Sequence, residues 1–195
     1  MLDCLAIIDH FYRGNDECRA ILLTHSEQVR DLALRLAARL VRQGATVDLD
    51  FVAQAAMLHD IGIIHTNAPS IHCYGNEPYI CHGILGRSML EGLGLPEHAL
   101  VCERHTGAGL ALDDIVGQNL PLPHRDMCPV SIEEQLICYA DKFFSKTHPG
   151  APARSLTVAR DKLLRFGAGS LSRFDDMAAR LGDPAHVPPL ATTAC

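Results

Sequence analysis

Four histidines and two aspartates of this sequence are of the types that bind metal ions, and two of them are adjacent. His59 and Asp60 end a very apolar stretch that begins at Phe51, so both side chains belong to an element that must be buried. Proteins normally pair a buried carboxylate or let it bind a metal, because its desolvation is costly. An isolated His-Asp pair is more often a core histidine beside a capping aspartate, so the pair alone does not define a site.

Four further residues of the same chemical types lie on other predicted helices. His25 opens the helix before the pair, His82 begins a later helix, and His105 ends the helix after that one. Asp141 ends the apolar stretch 136–141, so its carboxylate is predicted to face a core. Helical bundles build metal sites from such inward-facing side chains. Histidine and carboxylate without thiolate favour iron, manganese, zinc, cobalt or nickel.

The composition limits the function classes that such a site could serve. The chain has 195 residues, and 17 Lys and Arg against 23 Asp and Glu give a net charge of −6. An acidic chain argues against broad nucleic-acid binding, which depends on neutralising phosphates. Eight cysteines without a Cys-x-x-Cys pair, and an acidic start where a signal peptide is basic, predict a cytoplasmic protein with reduced thiols. No apolar run is long enough to predict a membrane span.

Helical periodicity dominates the chain, and alternating strand patterns are nearly missing, which predicts an all-α fold. Gly62 is expected to cap the C-terminus of the helix that carries the His-Asp pair. Ser131 and Glu134 have the spacing of a capping box at the start of a later helix. The predicted helices cover residues 25–42, 51–58, 79–92, 96–105, 131–144, 156–166 and 171–181.

The predicted organisation is one helical domain over residues 1–182, followed by a flexible tail at 183–195. An early hairpin at 2–23 is expected to pack against the central bundle. Loops rich in glycine and proline, at 66–78 and 107–129, are expected to wall the pocket of the site.

The order His…His-Asp…His…His…Asp, with the literal run His59-Asp60-Ile61-Gly62, resembles the HD superfamily of metal-dependent phosphohydrolases and specifically its HDIG members. The resemblance covers residues 20–147, and it implies an HD-type helical bundle with a metal site in its core. Many HDIG proteins place a lysine directly after the glycine, whereas this chain has Ile63.

The resemblance also implies a two-metal branch of the superfamily, in which Asp60 bridges both ions. Two divalent transition-metal ions are expected, with iron or manganese first and zinc, cobalt, nickel or magnesium also compatible. Because imidazole binds a metal only when it is neutral, metal affinity is expected to fall below about pH 6.5. The implied metal ligands are His25, His59, Asp60, His82, His105 and Asp141.

The implied activity is hydrolysis of a phosphate ester on a small, nucleotide-like substrate by a metal-activated hydroxide. Asp60 would be catalytic as the bridging ligand. Lys142, directly after the ligand Asp141, is the first candidate for a catalytic cation that also binds substrate phosphate. The weaker candidates for contact with the substrate are Arg104, Arg87, Lys146 and the loop histidine His65.

Two other functions remain open at this point. The same ligand set would serve a mixed-valent di-iron oxygenase of the HD type, and sequence order does not separate this enzyme from a hydrolase. A non-catalytic, metal-stabilised ligand-binding module is the third alternative. The expected partner is a small phosphorylated substrate and neither a long nucleic acid nor a membrane. The oligomeric state stays open, a homodimer included.

Overall fold

A 27-residue helix, α2 (Asp16–Arg42), is the longest element of the computed structural model, which describes residues 2–188. The side chain of Asn15 caps it, as expected for a residue that accepts hydrogen bonds from first-turn amides. The helix runs without a break through the region where the sequence predicted the end of a hairpin at 2–23. The first arm of that hairpin exists as α1 (Cys4–Phe11), but its second arm is the start of α2.

The all-α prediction is confirmed, since the described residues contain nine α-helices and one minimal pair of strands. None of the helices within residues 2–188 is both long enough and apolar enough to cross a membrane. The seven remaining helices are α3 (Leu49–Leu58), α4 (His82–Gly92), α5 (Pro96–Arg104), α6 (Leu112–Gly117), α7 (Ile132–Asp141), α8 (Leu156–Leu163) and α9 (Ala168–Leu181).

The core of the bundle lies where α2 packs against α3 and α7. Leu36 of α2 and Ala56 of α3 are fully buried there with Tyr139 of α7. The C-terminal α9 adds Phe174 to the same cluster, and its ring centroid lies 5.2 Å from that of Tyr139. A separate packing layer is formed by α4 against α5. The chain therefore holds the predicted site between two packed layers of helices.

Both predicted loops contain short regular elements. In the first loop, β1 (Asn67–Ala68) pairs antiparallel with β2 (Cys73–Tyr74), and in the second lies α6. The Sγ atom of Cys73 lies 3.0 Å from that of Cys18 on α2, which packs the small hairpin on the bundle. The cysteines within the described residues are all free thiols, as predicted.

Gly62 does not cap α3, contrary to the prediction. The helix ends at Leu58, and Gly62 lies inside a short 3-10 helix, Ile61–His65. A Cβ atom at Gly62 would lie 2.2 Å from the carbonyl oxygen of His82 and 2.3 Å from the amide nitrogen of Gly86. The glycine is therefore required because the turn after the His-Asp pair touches the backbone of α4, and a side chain would force the two elements apart.

The capping box is present only in part. The Glu134 amide donates to Ser131 Oγ at 3.1 Å, but the Glu134 carboxylate accepts from the Val130 amide at 2.7 Å. The helix it opens ends at Asp141 rather than at residue 144.

The flexible tail predicted to start at residue 183 does not hold for residues 183–188. A 3-10 helix, Pro184–His186, follows α9, and Val187 is buried against the main core. The Arg35 guanidinium of α2 donates to the carbonyl oxygen of Pro188 at 3.1 Å. This segment is packed because its apolar side chains cover the end of the bundle. The rest of the predicted tail, 189–195, lies outside the described residues.

Candidate metal centre

Six side chains that could bind a metal converge between the helices, in two groups that share one carboxylate. In each group, the candidate ligand atoms all lie within 4.8 Å of one another. Five of the six residues are buried, and the side chain of Asp141 is 11% exposed. The first ligand group comprises His25, His59, Asp60 and Asp141, and the second ligand group comprises Asp60, His82 and His105.

The first ligand group brings two imidazoles and two carboxylates to one point. His25 Nε2 lies 3.1 Å from Asp60 Oδ2 and 2.9 Å from Asp141 Oδ1. His59 Nε2 lies 3.0 Å from Asp60 Oδ2 and 3.6 Å from Asp141 Oδ1. One oxygen of each carboxylate thus faces both ring nitrogens, which is an arrangement that suits a single cation.

The second ligand group uses the other oxygen of Asp60. His82 Nε2 lies 3.5 Å from Asp60 Oδ1, and His105 Nε2 lies 3.3 Å from the same atom. The two Nε2 atoms lie 3.0 Å apart. Asp60 therefore presents Oδ2 to one group and Oδ1 to the other, as a bridging ligand would.

The backbone orients three of the imidazole rings in the same way. The Nδ1 atoms of His59 and His82 each lie 2.7 Å from the carbonyl oxygen three residues earlier, and the Nδ1 atom of His105 lies 2.8 Å from its equivalent. A ring that donates from Nδ1 leaves the Nε2 lone pair free. Such outer contacts fix the tautomer of metal-binding histidines.

The chemistry of the centre fits a metal ion. Within residues 2–188, the Nε2 atoms of His25 and His59 and both carboxylate oxygens of Asp60 are buried without a well-aligned hydrogen bond, although Asp60 Oδ2 also lies 2.6 Å from Lys146 Nζ. Buried polar groups are normally satisfied, so the two imidazole nitrogens and Asp60 Oδ1 call for a ligand. Imidazole and carboxylate donors without thiolate suit a divalent transition metal. These residues could therefore hold metal ions.

Two lysines compensate the charge of the carboxylates. Lys146 Nζ lies 2.6 Å from Asp60 Oδ2. Lys142 Nζ lies 2.7 Å from Asp141 Oδ2 and donates to the carbonyl oxygen of His105 at 2.8 Å. Burial alone would raise the pKa of Asp60, but Lys146 and His59 outweigh it and hold that pKa well below its usual range. Burial is likewise outweighed by the two lysines at Asp141, whose pKa is also well below its usual range.

The histidines of the two groups differ in their pKa values. Burial opposes a charge on His59, but Asp60 and Asp141 outweigh it and raise the pKa of His59 to about 9. Burial lowers the pKa of His82 to about 3, and the attraction of Asp60 does not compensate. Burial also lowers the pKa of His105. Both histidines of the second group are therefore neutral and ready for a metal, whereas His59 of the first group must release a proton.

A cavity of about 620 Å³ opens onto the centre, and His82, His105 and Asp141 lie in its wall. Both predicted pocket loops contribute to the wall, through Ser70 on one side and Gly107 on the other. The charged side chains in the wall are Asp141, Lys142, Lys146, Arg154, Asp161, Lys162 and Arg165.

Two of the five predicted substrate contacts line this cavity, namely Lys142 and Lys146, and the other three do not. Arg87 is held by Glu91 at 2.8 Å and by Glu103 at 2.5 Å.

Arg104 lies 2.9 Å from Glu134, and His65 is exposed and does not line the cavity. Substrate contact by Arg87, Arg104 and His65 therefore stays a prediction that the cavity geometry does not support, because carboxylates hold both arginines and none of the three residues lies in the wall.

Sequence reasoning missed several residues of the cavity. The ring of Tyr79 stacks on His82 with centroids 4.8 Å apart, and burial raises the pKa of its hydroxyl to about 12. Arg154, Lys162 and Arg165 belong to a segment interpreted only as an amphipathic helix and its flank. The basic residues of this segment are visible in the sequence. Their position in the cavity wall is not, because it depends on how the chain folds.

Comparison with known proteins gives relatives of two kinds. An uncharacterized protein of Methanocaldococcus jannaschii is 32% identical over 131 residues, which cover 67% of this chain and 70% of that protein. A tRNA (cytidine(56)-2'-O)-methyltransferase of Picrophilus torridus is 31% identical over 137 residues, and one of Thermoplasma volcanium is 28% identical over 125. These matches cover only 36% and 32% of the two methyltransferases.

The family comparison agrees with the geometry. The sequence pattern of the HD domain matches residues 22–145, a span that contains all six candidate ligands from His25 to Asp141. The chain belongs to the HD domain family.

Proposed function

We propose that this protein is a metal-dependent phosphohydrolase that cleaves a phosphate ester of a small, nucleotide-like substrate at a two-ion centre. The observation that carries the proposal is the pair of ligand groups that share Asp60 through different oxygens, beside a cavity with cationic walls. Two divalent ions at this place, iron or manganese in the first instance, would lower the pKa of a bound water and neutralise charge on the phosphoryl group.

The residues of the chain have separate tasks in this proposal. Asp60 stays ionised at neutral pH because Lys146 and His59 hold its pKa low, so it would be available as a bridging ligand there. Lys142 fixes Asp141 and the end of α5 through its two contacts, and it lines the cavity wall, where it would meet a substrate phosphate.

The size of the cavity supports a small substrate. Pockets for small molecules and cofactors usually measure roughly 300–1,000 Å³, and this one measures about 620 Å³. The chain spans about a third of the methyltransferases that it matches, so their named activity does not define its own. Transfer RNA nevertheless belongs among the substrates to be tested.

The test is metal analysis of freshly purified protein, followed by phosphate release from a panel of nucleotides, phosphate esters and transfer RNA with the metal found. We expect two ions per chain and turnover of at least one small phosphate ester. Asp141→Asn should lose turnover, whereas Asp31→Asn, an exposed acid paired with Arg30 at 2.8 Å, should retain it. Substrate-dependent oxygen uptake by the iron-loaded protein without phosphate release would replace the hydrolase with an oxygenase. Bound metal without any turnover would favour the non-catalytic module.

A further inference from the structure

The cations of this acidic chain are concentrated around the cavity. Five of its 17 Lys and Arg side chains line the wall, against two acids. Lys142 and Lys146 are engaged by the carboxylates of the metal centre. The other three, Arg154, Lys162 and Arg165, come from the C-terminal side of the cavity and lie beyond the 22–145 span of the HD match. We refer to these three residues as the basic triad.

The basic triad is not neutralised by acids. Within residues 2–188, Lys162 and Arg165 form no ion pair, and the Arg154 guanidinium donates only to the backbone carbonyl oxygens of Lys142 and Phe144. Asp161 is the one acid beside the triad in the cavity wall, and it also forms no ion pair within that part of the chain.

Arg160 is a surface arginine of α8, the helix that also carries Lys162. It forms a two-pronged pair with Asp175, with both distances 2.8 Å, and it does not line the cavity. On α8, Arg160 is therefore paired outside the cavity, whereas Lys162 in the cavity wall forms no ion pair within residues 2–188.

The three cations line one cavity wall, and the electrostatic effect of Arg154 and Arg165 on Lys162 agrees with their closeness there. Burial and the charges of Arg154 and Arg165 lower the pKa of Lys162. Burial and Arg165 lower the pKa of Arg154, while Asp141 of the first ligand group acts in the opposite direction. Arg154 therefore lies within electrostatic reach of both the metal centre and the rest of the triad. Like charges held together in a cleft create a strong attraction for an anion.

We propose that the basic triad is a second phosphate subsite, so that the natural substrate carries at least two phosphate groups, one at the metal centre and one at the C-terminal wall. The identity of the reacting phosphate rests on the proposed function. Guanidinium and ammonium groups are the side chains that bind phosphate oxygens best, and arginine does so with two parallel hydrogen bonds. The Arg165 guanidinium carbon lies 4.8 Å from the ring centroid of Phe166, a contact that limits its motion before a ligand binds.

The limited size of the shared cavity favours a small molecule over a nucleic-acid chain as the source of the phosphates. The triad shares one cavity of about 620 Å³ with His82 and His105, so both phosphates must fit within the reach of one small ligand. The net charge of −6 opposes a long phosphate backbone outside the cavity. The class of substrate is therefore a nucleoside diphosphate, a nucleoside bisphosphate or a comparable two-phosphate molecule.

The test measures equilibrium binding of AMP, ADP and adenosine 3′,5′-bisphosphate to the 195-residue protein as purified, by calorimetry. We expect at least one two-phosphate nucleotide to bind about tenfold more tightly than AMP, the scale of one charge-assisted hydrogen bond. The double variant Lys162→Gln/Arg165→Gln should abolish this ratio. Arg160→Gln, which removes one cation from the same helix outside the cavity, should keep it.

Three results would overturn the inference. They are equal affinities for one- and two-phosphate nucleotides in the wild type, an unchanged ratio in the double variant, and binding of transfer RNA that outcompetes the nucleotides and depends on the triad. Because binding does not require turnover, a preference for two phosphates without any hydrolysis would leave the subsite standing and remove the phosphohydrolase. Thermal unfolding of each variant verifies that these exposed substitutions leave the fold intact.

Discussion

The two ligand groups share Asp60 but differ in charge. The first group contains two carboxylates, each with a lysine ammonium within 2.7 Å, whereas the second contains the shared carboxylate alone. Their histidines follow this difference, since the pKa of His59 is raised to about 9 and that of His82 is lowered to about 3.

This difference indicates that the two metal sites of one centre can differ in metal affinity and in their dependence on pH. Attraction between a dication and the ligands grows with the number of carboxylates, because each adds a Coulomb term in a low-dielectric interior. With four candidate ligands against three, the first group should bind its ion more tightly once His59 has lost its proton and Lys146 no longer pairs with Asp60 Oδ2. The second group, which is already neutral at both rings, should bind more weakly but without competition from protons. The proposed two-ion centre can be tested on this contrast.

Removal of the shared carboxylate should have the largest effect, because it removes a ligand from both groups. Asp60→Asn is expected to lose both ions and to lower turnover by far more than the roughly 100-fold that outer-shell changes cause. Metal content and phosphate release measure it. Since the substitution leaves the Lys146 ammonium without its 2.6 Å partner, Asp60→Asn/Lys146→Met serves as a second variant that removes the unpaired charge. Two ions retained in either variant would rule out the bridge.

Loss of one histidine from each group should separate the two sites. His82→Ala is expected to keep one ion per chain at the affinity of the first group, and His25→Ala should keep at most the weaker ion. Both should lose more than about 100-fold in turnover, because each removes a direct ligand. The exposed His10→Ala is the matched control. Identical metal content and affinity in the two ligand variants would show that the groups are equivalent.

The fold class and the convergence of the six candidate ligands could be predicted because they depend on residue types and order. Apolar side chains at helical spacing must be buried, and a histidine or aspartate that ends such a run, like His59 or Asp141, is buried with it. The prediction that Gly62 caps α3 was wrong because the role of this glycine depends on tertiary contacts and not on local sequence. Its role depends on the carbonyl oxygen of His82 and the amide of Gly86, and no local pattern reveals such a close approach.

The residues that contact substrate were harder to predict, because charged surface side chains form ion pairs with residues that are distant in sequence. Arg104 pairs with Glu134, 30 residues away, and this pair removes it from the candidates. Lys162 and Arg165 look like the polar face of a helix until the chain folds that helix over the cavity. A ligand role can be predicted because a histidine or aspartate is costly to bury without a partner. Substrate contacts depend instead on which distant segments the fold brings to the cavity.

The dependence of metal affinity on pH should differ between the groups. A metal must displace the proton from His59, so affinity at the first group should fall about tenfold per pH unit below about 9. The ordinary histidine pKa would place this fall below about 6.5. At the second group, the lowered pKa values of His82 and His105 predict an affinity that stays constant between pH 9 and pH 6.

Anaerobic Mn²⁺ titrations of the wild type and His82→Ala at pH 6, 7, 8 and 9 measure this difference, because the variant reports the first group alone. If both ions of the wild type showed the same pH profile, the assignment of the proton to the first group would be wrong.

The smallest effect is expected at Lys142, which touches both groups without being a ligand of either. Its ammonium contacts the Asp141 carboxylate of the first group. It also donates to the backbone carbonyl oxygen of His105, which belongs to the second group. Lys142→Gln should lower metal affinity about tenfold, as outer-shell substitutions do. Lys142→Arg keeps the charge and should recover most of that loss. A lysine that only bound substrate would raise KM at saturating metal and leave metal affinity unchanged, so the two measurements separate positioning from substrate contact. A loss of metal affinity confined to the first group would show that the contact between Lys142 and His105 does not affect the second group. The two groups would then be coupled through Asp60 alone.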